Sequence, residues 1–393
     1  MTSECRPADA RGAIFLGETR QVRADAQACP AAESRGGVGG KAAGRLLHLD
    51  GMRALAAVAV ALFHFRGEVG GLIGKLPPAI DSMVRNGYLG VNVFFVLSGF
   101  VIAHSLGNSR YSLRFLGRFV LRRQVRLAPP YWATVALAAG WYAGDPNMAP
   151  ERIGLTTVLT HLCYVQDILG YPQLLDVFWT LCIEVQLYAA YVVLAWLAQS
   201  DSPRRGMLRR DVVFVAAMLG SLLMAWIPDG WLSDGLMPGT SGPAAWFPYY
   251  WYMFGLGVWV RWALDGRRAC AWLALFLLLA CLRAGGYQAA GPLVCAVTAA
   301  LLYLAARWQW LSRMLGCRVL AYLGSKSYSF YLLHTLIGGT CIHWVLGRHP
   351  RTVAWELVAL CVALAASWLV AYALWWAVER PSIRWSHRLS LRQ

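Results

Sequence analysis

LHLDGMRALAAVAVALFHFR, residues 47–66, has the length and apolarity of a bilayer span, for which roughly 20 apolar residues suffice. Among the ionisable side chains that interrupt it are Arg53 and His64. Eleven positions separate them. At about 100° per residue they return to within about 20° of a common direction, and the axial rise between them is roughly 16 Å. One helix face therefore carries both groups, one near each end. In one reading Arg53 snorkels to headgroups and His64 makes a packing contact at the far interface. In the other they mark a functional polar stripe, because ionisable groups inside a membrane usually face the bundle interior or a water-filled cavity.

The rest of the chain has the same character. Of its 393 residues 58% are apolar and 14% charged, with a mean hydropathy of +0.47. Soluble domains carry about a quarter charged residues, so this composition belongs to lipid. The 19 Trp and 17 Tyr suit headgroup level at both faces. A net charge of +16 could suggest nucleic acid, but the basic residues lie between apolar runs and form no soluble patch, so no nucleic-acid partner is expected. Cys163, Cys182, Cys270, Cys281, Cys295, Cys341 and Cys361 lie in or near apolar segments at irregular spacing. They read as small hydrophobes rather than a disulfide framework. No zinc-ligand spacing is present, and no metal is expected.

Ten spans are predicted, at 47–66, 88–107, 127–144, 177–198, 212–228, 246–264, 269–284, 289–306, 319–346 and 354–378. Residues 154–170, interrupted by His161, Gln166 and Asp167, read as an interfacial or re-entrant piece. With an inside N-terminus, 21 Lys and Arg fall in inside segments and seven outside, the tail excluded. That is the asymmetry of cytoplasmic loops, and nine or eleven spans would invert the later loops. Residues 1–45 read as a disordered cytoplasmic tail, 46–385 as the membrane domain and 386–393 as a second cytoplasmic tail. The fold class is all-α, a polytopic membrane helical bundle. Loops are short, so chemistry is expected between helices or at their ends. Gly/Pro-broken spans in matching halves, the usual mark of a secondary transporter, are missing.

Before the third span, Arg114, Arg118, Arg122 and Arg126 recur every four residues with Arg123 beside them. They form one basic ridge that Pro129 and Pro130 are expected to terminate. Topology and anionic lipid explain such a ridge; so does a phosphate site, since the guanidinium fork matches phosphate oxygens. Glu184, inside the fourth span with Tyr188 one turn on, either pairs to hold the bundle or orients a catalytic His. His334 reads as a packing histidine or a second polar group of the cavity.

Together these segments resemble acyltransferase family 3, a group of bacterial membrane acyltransferases. The matching pieces are Leu49 to Ala56 ending at His64, Gly90 to Phe100, Arg122 to Pro129, the Trp179/Glu184/Tyr188 block, Ser327 to His334, and Glu379-Arg380-Pro381. The resemblance implies transfer of an acyl group, commonly acetyl, from cytoplasmic acyl-CoA to an acceptor hydroxyl, at a bacterial inner membrane with both termini cytoplasmic. Acyl-CoA would be the donor substrate, with no cofactor permanently bound. The acceptor would be a cell-surface glycan or a small molecule such as a macrolide, and membrane lipid the remaining partner. The family's Arg-x₁₀-His motif falls on Arg53 and His64, and its Arg-x-x-Arg motif on Arg123 and Arg126. Ser98 and Asn92 lie in a matching block and are expected to support the site, as are Tyr188 and His334. Asn92 stands where many relatives have Asp, which removes a carboxylate, and Thr180 replaces the usual Ser. The resulting expectation is His64 as general base or covalent acyl carrier, Glu184 as a second catalytic residue, and Arg53, Arg118, Arg122, Arg123 and Arg126 on the CoA phosphates. A non-enzymatic transporter of saccharides or lipids is the competing class.

Overall fold

A computed structural model of the protein describes residues 47–107, 111–144, 153–224, 245–283 and 290–389. The expected N-terminal tail, the end of the fifth expected span and the last four residues lie outside the described residues. Every expected span coincides with helix: α1 Leu47–Phe65, α2 Gly90–Leu106, α3 Leu113–Ala143, α4 Leu155–Leu162, α5 Trp179–Leu197, α6 Pro203–Met224, α7 Phe247–Ala263, α8 Arg267–Arg283, α9 Ala290–Arg307, α10 Gln309–Leu315, α11 Arg318–Gly324, α12 Ser327–Leu333, α13 Gly339–Leu346, α14 Val353–Leu374 and α15 Arg380–Arg388. No strand occurs among the described residues.

Among the described residues, six helical stretches are long and apolar enough to cross a membrane by themselves: Leu47–Phe65, Gly87–Leu106, Trp179–Leu197, Ala290–Arg307, Ser327–Leu346 and Val353–Arg388. The first half of α3 is basic, α6 begins with an Arg-rich stretch, and α7 has 17 residues; α8 is described as far as Arg283. Helix α7 is the innermost. Tyr250 through Val260 are all buried, Trp251 and Trp259 almost completely, and a helix apolar on every side belongs in a core. The 154–170 segment holds only the eight-residue α4, too short to span. His161 fastens it. Its Nδ1–H donates to Thr157 O at 2.7 Å and its Nε2 accepts from Leu174 N–H at 3.2 Å. Burial pushes this imidazole below its ordinary pKa, as a neutral, fully bonded ring requires.

Three boundaries differ from the sequence expectation. Pro129 and Pro130 do not end the basic helix; both lie inside the 31-residue α3. Each proline deprives one carbonyl of a donor, those of Val125 and Arg126, yet the flanks stay anchored. Tyr328 OH donates to Leu127 O and Thr134 Oγ1 to Pro130 O, at 2.8 and 2.9 Å. The ninth span begins at Ser327 rather than at 319, because a turn at Ser325–Lys326, tied by Ser327 Oγ–H to Gly324 O, separates the short α11. The last span runs on through a π-helical turn, Trp375–Glu379, to Arg388. Pro381 falls two residues past that turn, inside the continuous helix.

Between helices in lipid, association rests on close packing, because the tails around them are as apolar as the side chains. One such close crossing joins α2 to α7. A Cβ on Gly99 would lie 1.9 Å from Phe254 O, and one on Gly257 would lie 1.9 Å from Val96 O. The residues expected on one side also meet at one end of the bundle. Arg261 donates to His104, Arg122 contacts His387, and Arg268 pairs with Asp211. Residues expected outside meet at the other end, where Leu72 N–H donates to Glu356 and His343 approaches Glu68.

Gly99→Ala and Gly257→Ala should each destabilise the bundle by about 1–3 kcal/mol through overpacking. Gly117→Ala, where nothing lies within 4 Å, should be neutral or stabilising by up to about 1 kcal/mol. Thermal unfolding of the three purified variants in one detergent checks this, and equal Tm values would contradict so close a crossing.

Candidate functional site

Two polar groupings occupy the polar face of α1 and its surroundings. The first gathers at the Arg53 end. Recurrence every four residues drifts by about 40° per step, so the basic ridge of α3 winds around the helix instead of staying on one face. Arg114 and Arg118 are exposed, whereas Arg122, Arg123 and Arg126 are half-buried. Arg122 Nη2 meets His387 Nδ1 at 2.9 Å. Arg123 Nη2 donates to Ser105 Oγ at 3.0 Å, and its guanidinium lies over the rings of Phe119 and Tyr188.

Two turns up α2 from Ser105, on the same face, Ser98 Oγ–H donates to Glu184 Oε1 at 2.8 Å, and Tyr188 OH donates to the same oxygen. Arg53 pairs with Asp50 at 3.6 Å. Arg53 and Arg123 both lie within electrostatic reach of Arg126, Glu184 and Tyr188. Glu379, buried and accepting Ser329 Oγ–H at 2.6 Å, lies within reach of Arg53 and Arg126. Three guanidinium groups thus face three carboxylates, Asp50, Glu184 and Glu379.

The second grouping surrounds His64. Its ring centroid lies 5.3 Å from that of His334, and Asp176, just before α5, is within electrostatic reach. His334 is wholly buried where α12 passes into a π-helical turn, His334–Gly338, a distortion often found at functional sites. Its Nδ1 contacts Tyr331 O at 2.8 Å. A carbonyl can only accept, so Nδ1 carries the proton and Nε2 is the ring's bare acceptor. Among the described residues no group bonds that Nε2. Tyr331 OH shares a hydrogen bond with Thr180 Oγ1 at 3.0 Å, so the hydroxyl kept at position 180 is in use beside this group.

Glu184 therefore belongs to the arginine grouping, with Ser98 and Tyr188, and not to His64. The carboxylate near His64 is Asp176, which sequence reading passed over. One signal was available: with the expected alternation of spans, the start of the fourth lies at the same level as the end of the first. Glu379 was quoted only as part of a motif, and nothing local marks it as a partner of Arg53 and Arg126. Asn92 is remote from both groupings; its Nδ2–H donates to Cys295 Sγ at 3.5 Å, where α2 meets α9. No cluster of metal-ligating side chains occurs among the described residues.

The chain is similar to known proteins. Residues 46–372 match the family model described as an acyltransferase domain. Peptidoglycan O-acetyltransferase OatA of Listeria monocytogenes is 25% identical over 208 residues, 49% of this chain and 29% of its own. YrhL of Bacillus subtilis, provisionally named a peptidoglycan O-acetyltransferase, is 26% identical over 324 residues, 73% of this chain and 47% of its own. The regulator of hypoxia-inducible factor 1 of Caenorhabditis elegans is 28% identical over 149 residues, 36% and 30% of the two chains. The chain thus spans less than half the length of these relatives. No solved structure matches. With the family model covering most of its length and an all-helical membrane fold beneath it, the chain belongs to acyltransferase family 3.

Proposed function

We propose that this protein is an O-acyltransferase that moves an acyl group, acetyl in the first instance, from cytoplasmic acyl-CoA to a hydroxyl of a cell-surface or exported glycan. The observation that carries the reading is the division of α1 into two chemical ends about 16 Å apart. Arginines gather at one, and His64 faces His334 at the other. That separation is comparable to a pantetheine arm. The CoA phosphates then lie toward Arg118, Arg122, Arg123 and Arg126, with Arg53 behind them, and the thioester reaches His64. A glycan acceptor is favoured over a diffusible small molecule by the peptidoglycan O-acetyltransferase name of OatA.

In the transfer, the acceptor oxygen attacks the thioester carbonyl while His64 takes its proton. The tetrahedral adduct expels the CoA thiolate, and the proton passes from His64 to that sulfur. In the covalent variant, His64 itself attacks the thioester first and hands the acyl group on. Asp176 favours the protonated imidazole formed in the direct route. His334 Nε2, with its tautomer held by Tyr331 O, accepts a hydrogen bond from the acceptor hydroxyl or from His64.

A second reading of the arginine grouping is structural, and the three facing carboxylates favour it, because a buried charge without its partner is costly. The orientation proposed is an inner membrane with both chain ends cytoplasmic. Reporter fusions after Gly144 and Gly347 should then read outside, and those after Ser200, Gly266 and Trp308 inside. Fusions beyond residue 150 reading the opposite way would overturn it.

Radiolabelled acetyl-CoA transfer by the purified protein tests the chemistry. His64→Ala should lose at least about a hundredfold in kcat, while acetyl-CoA binding and membrane insertion persist. His161→Ala, a fastening residue, should lose less at temperatures where it stays folded. Retention of more than about a tenth of the turnover by His64→Ala would remove both roles from His64.

Arg123→Ala with Arg126→Ala should raise KM for acetyl-CoA about tenfold or more, since a charge-assisted hydrogen bond contributes roughly 1.5–3 kcal/mol. Exposed Arg204 and Arg205, replaced likewise, should leave KM nearly unchanged. The structural reading predicts instead a lowered Tm with KM intact, and the same for Glu184→Ala.

A further inference from the structure

Away from both groupings, a cavity of about 580 Å³ opens where α1, α2, α7, α9 and α10 converge. Its polar lining is His48, His104, Arg261, Gln309, Ser312 and Arg313, with Phe100 among the apolar walls. It is separate from the site described above. His48 precedes His64 by sixteen positions, roughly 24 Å of helix. Around α1, His48 points about 140° away from Arg53; around α2, His104 and Phe100 point about 100° or more away from Ser105 and Ser98.

The hydrogen bonds in the wall determine what it can receive. Arg261 Nε–H donates to His104 Nδ1 at 3.2 Å. A neutral His104 therefore carries its proton on Nε2 and presents a donor. His48 is buried, with Nδ1 against Ser312 Oγ at 3.2 Å, and its Nε2 has no protein partner. Arg261 keeps one nitrogen on Asp265 at 2.7 Å, and Arg313 is exposed at the rim. Donors and positive charge dominate, with no carboxylate in the lining. That is a receptor for an anion rich in acceptor oxygens.

The surroundings say which anion. Helix α10, which supplies Ser312 and Arg313, turns Trp310 and Met314 outward at 59% and 63% exposure, and Trp308 precedes it at 49%. Trp308 and Trp310 stack at 6.4 Å. Exposed indole rings beside basic side chains are at home at headgroup level, and basic pockets between membrane helices bind anionic headgroups. We propose that this cavity binds the phosphate of an anionic phospholipid, with its acyl chains lying along Trp308, Trp310 and Met314. Arg313 and His104 Nε2 hold the phosphate oxygens, and Arg261 holds His104 in its donating tautomer.

The test uses the full chain, purified in detergent and given phosphatidylglycerol or phosphatidylcholine, with retained lipid counted by native mass spectrometry. Phosphatidylglycerol should be retained preferentially. Arg313→Gln should weaken that retention about tenfold, and His104→Phe should weaken it as well. Arg267→Gln, exposed at the same end but outside the cavity, should leave it unchanged. Equal retention of the two lipids overturns the proposal, as does equal loss from Arg267→Gln and Arg313→Gln. Inorganic phosphate binding that depends on Arg313, with no retained lipid, would also overturn it and make the cavity a site for a soluble anion.

Discussion

The close approach of α2 to α7 at Gly99 and Gly257 holds Ser98 at the arginine grouping and Phe100 at the basic cavity. With each missing Cβ replaced by a neighbouring carbonyl, the two backbones stand nearer than any side chain would allow. Three consecutive residues of α2 then point in three directions. Ser98 reaches Glu184, Gly99 meets Phe254, and Phe100 walls the cavity at the basic end. A side chain at 99 would push α2 away from α7, parting His104 from Arg261 and moving Ser98 relative to Glu184 of α5.

Charge compensation governs the rest of the interior. Arg53, Arg123 and Arg126 are held in a helical bundle by Asp50, Glu184 and Glu379, with Ser98, Ser105, Tyr188 and Ser329 bonding the charged heads. Unpaired, such charges would be too costly in low dielectric. The histidines follow the opposite logic. His161 has both ring nitrogens bonded and serves the fold. His334 has one nitrogen bonded and the other bare beside His64, which leaves an acceptor where a hydroxyl could be held.

Much of this was legible from residue order. Apolar runs of span length, the sidedness of Lys and Arg, and the common face of Arg53 and His64 follow from a helical period and a bilayer of fixed thickness, both local properties. The ordered motifs carried the family. Less legible were the ends of elements. Pro129 and Pro130 read as a stop, because local rules cannot anticipate Tyr328, two hundred residues on, donating to Leu127 O in the same stretch. The basic ridge read as one face, although a four-residue repeat drifts around a 3.6-residue helix.

What the sequence by itself determined is therefore the membrane, the helices and the residue types that chemistry needs. Composition and period act over one span at a time. Only the tertiary structure decided which of those residues share a site. Glu184 went to the arginines rather than to His64, Asp176 came to His64, Glu379 crossed from the last span to Arg53 and Arg126, and His104 met Arg261 in a cavity that no motif marks. The physical reason is that a helix presents side chains in every direction, and which direction becomes interior depends on where its neighbours pack.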